Sequence, residues 1–166
     1  QVKNEGKNSR WYSGSGIYRN VHLTITQPLH VAVWGAKITT PEIHENSAIV
    51  VVEVTIQNDD DKEMAAQITI HLKDKNGKLA DTVTENIMVE GNAENRFIKQ
   101  IQVKNPVLWS LESPNLYTAE IVIEVGNKII DNYQQSFGIR SIDFSAEKGF
   151  LLNGKSLLLK GGCLHH

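Results

Sequence analysis

The sequence has very little cysteine and no long apolar run. Cys163 is the only cysteine among 166 residues, so no disulfide can form within the chain and its core alone must hold the fold. The longest apolar runs, such as residues 48–52 and 157–159, are far shorter than the roughly 20 residues that a membrane-spanning helix needs. These absences exclude a disulfide-stapled fold and a helical membrane span.

Neither sign of charge predominates in the sequence. The chain carries 17 basic and 19 acidic residues, for a net charge of -2, and its lysines are scattered between acidic and polar residues. A protein that binds a phosphate backbone needs a coherent positive surface, so we expect no nucleic-acid partner. The hydrophobic fraction of 40% and charged fraction of 22% are typical of a globular protein and exclude a disordered one.

Helical periodicity is missing as well, because no window of helical length keeps an i, i+3, i+4 apolar stripe. Apolar residues instead alternate with polar ones at period two, which is the signature of half-buried strands. The segment "SAIVVVEVTIQN" (residues 47–58) is one example, with alternate valines on one face. The pattern predicts an all-β chain, with strands at residues 17–25, from residue 31, and at 47–58, 67–73, 79–89, 96–103, 116–125 and 129–139.

Asn-Gly and Gly-Asn pairs separate several of these apolar runs. They occur at residues 75–79, 125–129 and 152–156, and such pairs tolerate the positive φ that tight hairpins require. From Val31 onward there are about seven strands, with a turn roughly every ten residues. This spacing predicts an immunoglobulin-like β-sandwich, although the Cys, Trp, Cys core of antibody domains is missing.

One stretch, residues 104–121, interrupts the strand rhythm. It contains Pro106 and Pro114, neither of which can donate to a strand ladder. We expect an ordered loop that crosses between the two sheets, with Trp109 and Leu111 packed on the core.

Two short motifs are candidates for ligand binding. The acidic turn "NDDDKE" (residues 58–63) offers the oxygens that calcium prefers, but it lacks the glycine and the distal glutamate of an EF-hand. We expect a solvated strand connection there. In "YSGSGIYR" (residues 12–19) no helix follows the Gly-x-Gly, so its glycines are expected to serve turns. Arg19 is expected inside a strand, in a structural ion pair or hydrogen bond.

The C-terminal tail contains Cys163, His165 and His166. One thiol and two adjacent imidazoles supply at most three zinc ligands, and neighbouring residues of a strand point to opposite faces. We therefore predict no metal site here, and the sequence suggests no cofactor.

Four segments together resemble glycoside hydrolase family 2, the group of β-galactosidases, β-glucuronidases and β-mannosidases. They occur in the family's order and spacing. They are "WYSGSGIYRNVHL" (residues 11–23), "NPVLWSLESPNLY" (105–117), "FGIRSIDF" (137–144) and "GFLLNGKSLLLKGGCLHH" (149–166).

The resemblance implies three parts. Residues 1–33 would be the C-terminal end of a sugar-binding jelly-roll domain, residues 34–141 an immunoglobulin-like sandwich, and residues 142–166 a linker and the start of a (β/α)8 catalytic barrel. The full-length parent would hydrolyse terminal β-glycosidic bonds with retention, using two glutamates downstream of residue 166. No catalytic residue is therefore assigned in this chain, which is expected to be inactive alone and to act as a scaffold between the jelly roll and the barrel.

The resemblance also implies a substrate-binding role for the tail. In the parent, His165 and, less directly, His166 would line the sugar pocket and bind carbohydrate hydroxyls. Gly162, Cys163 and Leu164 replace a Val-Asn-Arg type run of many members, so the sugar stays open. The resemblance alone suggests an extracytoplasmic location.

An alternative from a different class is a free-standing immunoglobulin-like module that binds carbohydrate or protein. Such a module should expose an aromatic platform or an apolar patch. Aromatic residues make up only 7% of the chain, and Trp11 and Trp109 both lie inside the family motifs.

Overall fold

The computed structural model describes residues 3, 16, 17 and 19–163. The chain divides into two compact units. The larger unit is Thr26–Leu158 and contains every strand found among the described residues, and the smaller unit combines Gln1–Ile25 with Leu159–His166. The described residues of the smaller unit form no helix or strand.

Seven strands of the larger unit form two antiparallel sheets. In chain order they are β1 (Leu29–His44), β2 (Ser47–Asn58), β3 (Met64–Lys73), β4 (Leu79–Val89), β5 (Ala93–Lys104), β6 (Tyr117–Val125) and β7 (Lys128–Phe137). One sheet has the order β1-β2-β5 and the other the order β4-β3-β6-β7. Within the described part of the chain there is no helix, so the predicted all-β sandwich is confirmed.

The core lies between these sheets, and its residues follow the period-two pattern of the strands. Alternate residues of β2, from Ala48 to Ile56, are fully buried. The opposite sheet contributes buried side chains from β3 and β6, among them Ile68, Ile70, Ile121 and Ile123. Burial of one such aliphatic side chain contributes roughly 1.5–3 kcal/mol, so the core holds the sandwich together without a disulfide.

The strands predicted from residue 47 onward coincide with β2 to β7, but the strand predicted at residues 17–25 is wrong. Residues 19–27 form no regular structure, and Ile17, Val21, Leu23 and Ile25 are 75–87% exposed. Alternation supplies an apolar face, but a strand also needs a neighbour that accepts its backbone hydrogen bonds. The placement of Arg19 inside a strand is therefore wrong too.

Three further short strands follow the sandwich. They are β8 (Ile142–Ser145), β9 (Gly149–Leu152) and β10 (Lys155–Ser156), in the antiparallel order β10-β9-β8. The turn between β9 and β10 places Asn153 at φ 51° and Gly154 at φ 74°, the conformation of a type I′ hairpin. The hairpin predicted from this Asn-Gly pair is confirmed.

β1 begins at Leu29, whereas the sandwich domain implied by the sequence begins at residue 34. The domain boundaries themselves stay a prediction. A search of the described residues finds no helix long and apolar enough to cross a bilayer.

Candidate functional site

Three connecting segments meet where the sandwich leads into the β8–β10 sheet. They are the loop between β5 and β6 (residues 105–116), the segment after β7 (residues 138–141), and the turn at Asn153. We call this cluster the junction. Each segment belongs to a different motif of the resemblance described above.

Asn153 ties the three segments together. Its backbone N–H donates to the Ser141 carbonyl at 3.0 Å, and its Oδ1 accepts a hydrogen bond from the Ser141 N–H at 3.0 Å. Its Nδ2 donates to the Trp109 carbonyl at 2.9 Å. Asparagine tolerates the left-handed conformation of a hairpin turn, so one residue both forms the turn and attaches it to the sandwich.

Trp109 lies half-buried against the segment after β7. Its backbone N–H donates to the carbonyl of the fully buried Ile139 at 2.9 Å. The Arg140 guanidinium lies 4.5 Å from the centre of the indole ring, which is cation–π distance. A Cβ added at Gly138 would lie only 2.8 Å from the Trp109 Cβ. The Trp109 side chain thus packs against both Gly138 and Arg140.

Polar contacts order the rest of the loop, as the sequence predicted. The buried Asn115 donates from Nδ2 to the Ser113 hydroxyl at 2.8 Å and to the Leu108 carbonyl at 3.3 Å, and its Oδ1 accepts from Lys75 Nζ at 2.9 Å. The Tyr117 hydroxyl accepts from the backbone N–H of residue 107 at 3.0 Å. These bonds take the place of a strand ladder.

The packing predicted for this loop is partly wrong. Leu111 is 56% exposed, because a turn closed by the Ser110 N–H and the Ser113 carbonyl at 3.0 Å carries it away from the core. The side chain that packs against the core is Leu108. Trp109 contacts the segment after β7 instead.

The junction is built to fix backbone segments. The side chains that make its contacts are amides, hydroxyls, an indole and a guanidinium, and Glu112 supplies the single carboxyl group of these segments. Hydrolysis of a glycoside requires a pair of carboxyl groups in different protonation states, and this cluster does not provide them. Across the described residues, no group of three or more His, Cys, Asp or Glu side chains could hold a metal ion.

The acidic turn between β2 and β3 is a solvent-exposed connection, as predicted, and it is organised by a buried amide. Asn58 is fully buried, and its Nδ2 donates to the carbonyls of Lys62 at 2.8 Å and Val89 at 3.1 Å. A hydrogen bond between the Asp60 and Asp61 side chains lowers the pKa of Asp60 and raises that of Asp61.

The predicted substrate-binding residues His165 and His166 lie outside the described residues, as does most of the Gly-x-Gly motif. Cys163 is described and exposed. Gly16 has φ 124°, a conformation that favours glycine, as expected for a turn.

Sequence reasoning missed the tethering role of Asn153 and a bulge in β1 at Trp34. The Asn-Gly pair indicated a turn, but hydrogen bonds to residues 12 and 44 positions away leave no local pattern. The bulge had a weak signal in the Trp-Gly pair at residues 34–35, since glycine in a strand often marks one.

Comparison with known proteins places these features in one family. The family described as Glycosyl hydrolases family 2 matches residues 31–140. The β-galactosidase BoGH2A of Bacteroides ovatus is 37% identical over 162 residues, which are 98% of this chain and 19% of that protein. A β-glucuronidase of Formosa agariphila is 30% identical over 88% of this chain and 16% of its own length.

A solved structure agrees along almost the entire chain. It is a glycosyl hydrolase family 2 member from Bacteroides cellulosilyticus, with a TM-score of 0.90 and 40% identity. The match covers 99% of this chain and 23% of that one. The chain therefore spans about a fifth of the length of the relatives it matches.

Proposed function

Because this chain belongs to family 2 of the glycosyl hydrolases, we propose that it is a non-catalytic, immunoglobulin-like module of a retaining β-glycosidase. The parent hydrolyses terminal β-glycosidic bonds. Residues 1–33 end its sugar-binding jelly roll, residues 34–141 form the sandwich, and residues 142–166 lead into its (β/α)8 barrel. The module holds the jelly roll and the barrel in a fixed position relative to each other.

The observation that carries this proposal is the exposure of large apolar side chains on the segments flanking a complete core. On the N-terminal side, Ile17, Val21, Leu23 and Ile25 are all at least 75% exposed. They alternate as a strand does, and the end of a jelly roll would provide the missing strand partners. Exposed apolar groups of this kind mark surfaces that another domain covers.

The β8–β10 sheet presents a second exposed apolar surface, on the C-terminal side of the sandwich. Phe144 is 77% exposed, Ile142 is 50% exposed, and the Phe144 ring packs edge-on against Phe150 with centroids 5.3 Å apart. A small sheet is stable only when its apolar face packs against something else. The barrel would cover this face, and Asn153 and Trp109 would transmit its position to the sandwich.

The chemistry belongs to the barrel in this proposal. Retaining hydrolysis needs two carboxyl groups about 5 Å apart, one as acid and base and the other as nucleophile. Both would come from sequence beyond residue 166. His165 and His166 would form one wall of the sugar pocket and hydrogen-bond the substrate hydroxyls, a role that rests on the sequence motif. A β-galactoside and a β-glucuronide are the first substrates to test, because the relatives carry those names.

Hydrolysis of 4-nitrophenyl β-D-galactoside and β-D-glucuronide tests the proposal. We expect turnover by the full-length protein and none by the 166-residue chain at equal concentration. In the full-length protein, His165→Ala should lower kcat/KM, whereas His44→Ala, on the exposed end of β1, should leave kcat/KM unchanged. Turnover by the chain alone would refute the non-catalytic role.

A further inference from the structure

Trp34 is the tip of a bulge in β1. β1 pairs with β2 through Val31 and Ile56 and again through Ala36 and Val54, so four residues of β1 lie opposite Thr55 alone. Val33 and Trp34 at the tip are 72% and 91% exposed. A bulge of this kind re-aims a side chain away from the sheet.

The backbone of Trp34 adopts a conformation that tryptophan rarely accepts. Its φ is 60°, in the left-handed region where a bulky side chain is strained. The other non-glycine residues with positive φ in the described part of the chain are all asparagines: Asn92, Asn105, Asn127 and Asn153. Asparagine or glycine would suit residue 34 better on local grounds, so the local fold does not explain the tryptophan.

The bulge is held firmly on both sides of its tip. The Val31 N–H donates to Asp131 Oδ2 on the opposite sheet at 2.8 Å. A Cβ at Gly35 would lie 2.7 Å from the Ala32 carbonyl oxygen and 2.8 Å from that of Thr55, so glycine is needed for the strands to approach. A strained residue on a rigid support points to function, and tryptophan is prominent among the anchors of protein interfaces.

We infer that Trp34 anchors the domain that precedes the sandwich in the same polypeptide, an inference that rests on the proposed function. Only Thr26–Pro28 separate Ile25 from Leu29, a span of at most about 14 Å when fully extended. The bulge lies five residues into β1, at most about 17 Å from its start. A domain of about 100 residues has a radius of gyration near 13 Å, so it reaches Trp34 from this tether.

The domain that follows residue 166 is a poorer candidate. Thr40 Oγ1 donates to the Arg140 carbonyl at 2.8 Å, so the far half of β1 lies beside the segment that leads into β8. The bulge is six residues further back along β1. Residues 142–166, which include β8 to β10, separate that segment along the chain from anything after residue 166, whereas only three residues join β1 to the sequence before residue 26.

Site-specific photocrosslinking in the full-length protein identifies the occupant. The variant Trp34→p-benzoylphenylalanine should crosslink within one polypeptide to peptides that precede residue 26. Ile129→p-benzoylphenylalanine, at a side chain 55% exposed on β7, is the control and should give no such product. Crosslinks to sequence after residue 166 or to a second copy, trapping of a bound oligosaccharide, or no crosslink at all would overturn the inference.

A stability measurement gives an independent reading. Trp34→Asn relieves the positive-φ strain, so the Tm of the 166-residue chain should stay the same or rise, whereas the Tm of the full-length protein should fall. An unchanged or raised Tm in the full-length protein would also overturn the inference. If the full-length protein has no domain before residue 26 or hydrolyses no glycoside, the proposed function fails. If the full-length protein has a domain before residue 26 and hydrolyses a glycoside, but Trp34 crosslinks elsewhere, only the anchor role fails.

Discussion

At the residue scale, the junction depends on asparagine in a left-handed turn. Asn153 and Asn127 both occupy positive φ in hairpins, at 51° and 63°. They differ in what the side chain does, because Asn153 binds Ser141 and Trp109 across the junction, while Asn127 lies in the β6–β7 turn. Comparing Asn153 with Asn127 therefore separates the conformational requirement of a turn from the role of the Asn153 side chain in attaching the turn to the sandwich.

The variant Asn153→Gly should destabilise the larger unit by about 1–3 kcal/mol, because glycine keeps the turn but leaves the Ser141 N–H and the Trp109 carbonyl without their partner. Asn127→Gly makes the same backbone change in a turn whose φ is 63°, a conformation that glycine accepts readily, and should therefore destabilise the protein less. Urea unfolding of both variants, with amide exchange at Ser141, checks this. Equal losses in the two variants would remove the tether role.

The close contact between Gly138 and Trp109 makes a second prediction at this scale. In Gly138→Ala the new methyl group would lie 2.8–3.0 Å from three Trp109 side-chain atoms. The indole must then shift away, at a cost of about 1–3 kcal/mol. The intrinsic fluorescence and urea midpoint should both change. Gly161→Ala, where a Cβ meets nothing within 4 Å, should change neither, and a silent Gly138→Ala would contradict the packing described.

Some of these residues could be predicted from the sequence and others could not. The Asn153-Gly154 turn follows from local chemistry, since few residue pairs accept two positive φ angles. The partners of Asn153 do not, because they are brought close only by the fold. Leu111 was expected in the core and is exposed, since local hydrophobicity does not reveal which way a proline-flanked loop turns.

At the element scale, alternation identified β2 to β7 because each has one face in the core and pairs with a neighbour. The same pattern at residues 17–25 produced no strand. A strand depends on its neighbours as much as on its own residues, so single-sequence periodicity shows which segments can pair but not whether a partner is present.

A polar cluster on the outer face of the β3-β6-β7 ladder gives a pH-dependent prediction. Lys73 Nζ donates to Glu120 Oε2 at 2.5 Å, and Asn132 Nδ2 and Gln134 Nε2 each donate to Oε1 at 3.2 Å. The Lys73 hydrogen bond, helped by that of Asn132, lowers the pKa of Glu120 below its usual value of 4.5. The Glu120 side chain is 14% exposed, so solvent screens this pair less than a surface pair.

Because the folded-state pKa is depressed, the contribution of Glu120 is fully present above the unfolded-state pKa and is lost as the pH falls through the folded-state value. Glu120→Gln should therefore cost about 1 kcal/mol at pH 7, and the gap to the wild type should narrow as the pH drops below about 4.5. Urea unfolding at pH 7 and at several acid pH values measures it. Glu124→Gln, further along β6 on the same face, controls for loss of a negative charge. A gap that is independent of pH would contradict this account.

At the scale of the whole molecule, the sandwich has a complete core, but the segments on either side of it carry exposed apolar residues. Four motifs in register are sufficient to predict the family from the sequence, because motif spacing records a whole architecture. The junction brings three of those motifs together in space. The family-level resemblance did not reveal the Trp34 bulge, which is a local feature of β1.

Hydrogen–deuterium exchange, compared between the 166-residue chain and the full-length protein, tests the joining role most directly. We predict that amides of residues 17–25 and of β8 to β10 exchange much more slowly in the full-length protein, while those of β2, β3 and β6 in the core exchange at similar rates in both. Equal exchange of the flanking segments in the two proteins would show that no domain covers them, and would contradict the account of this chain as a joining module.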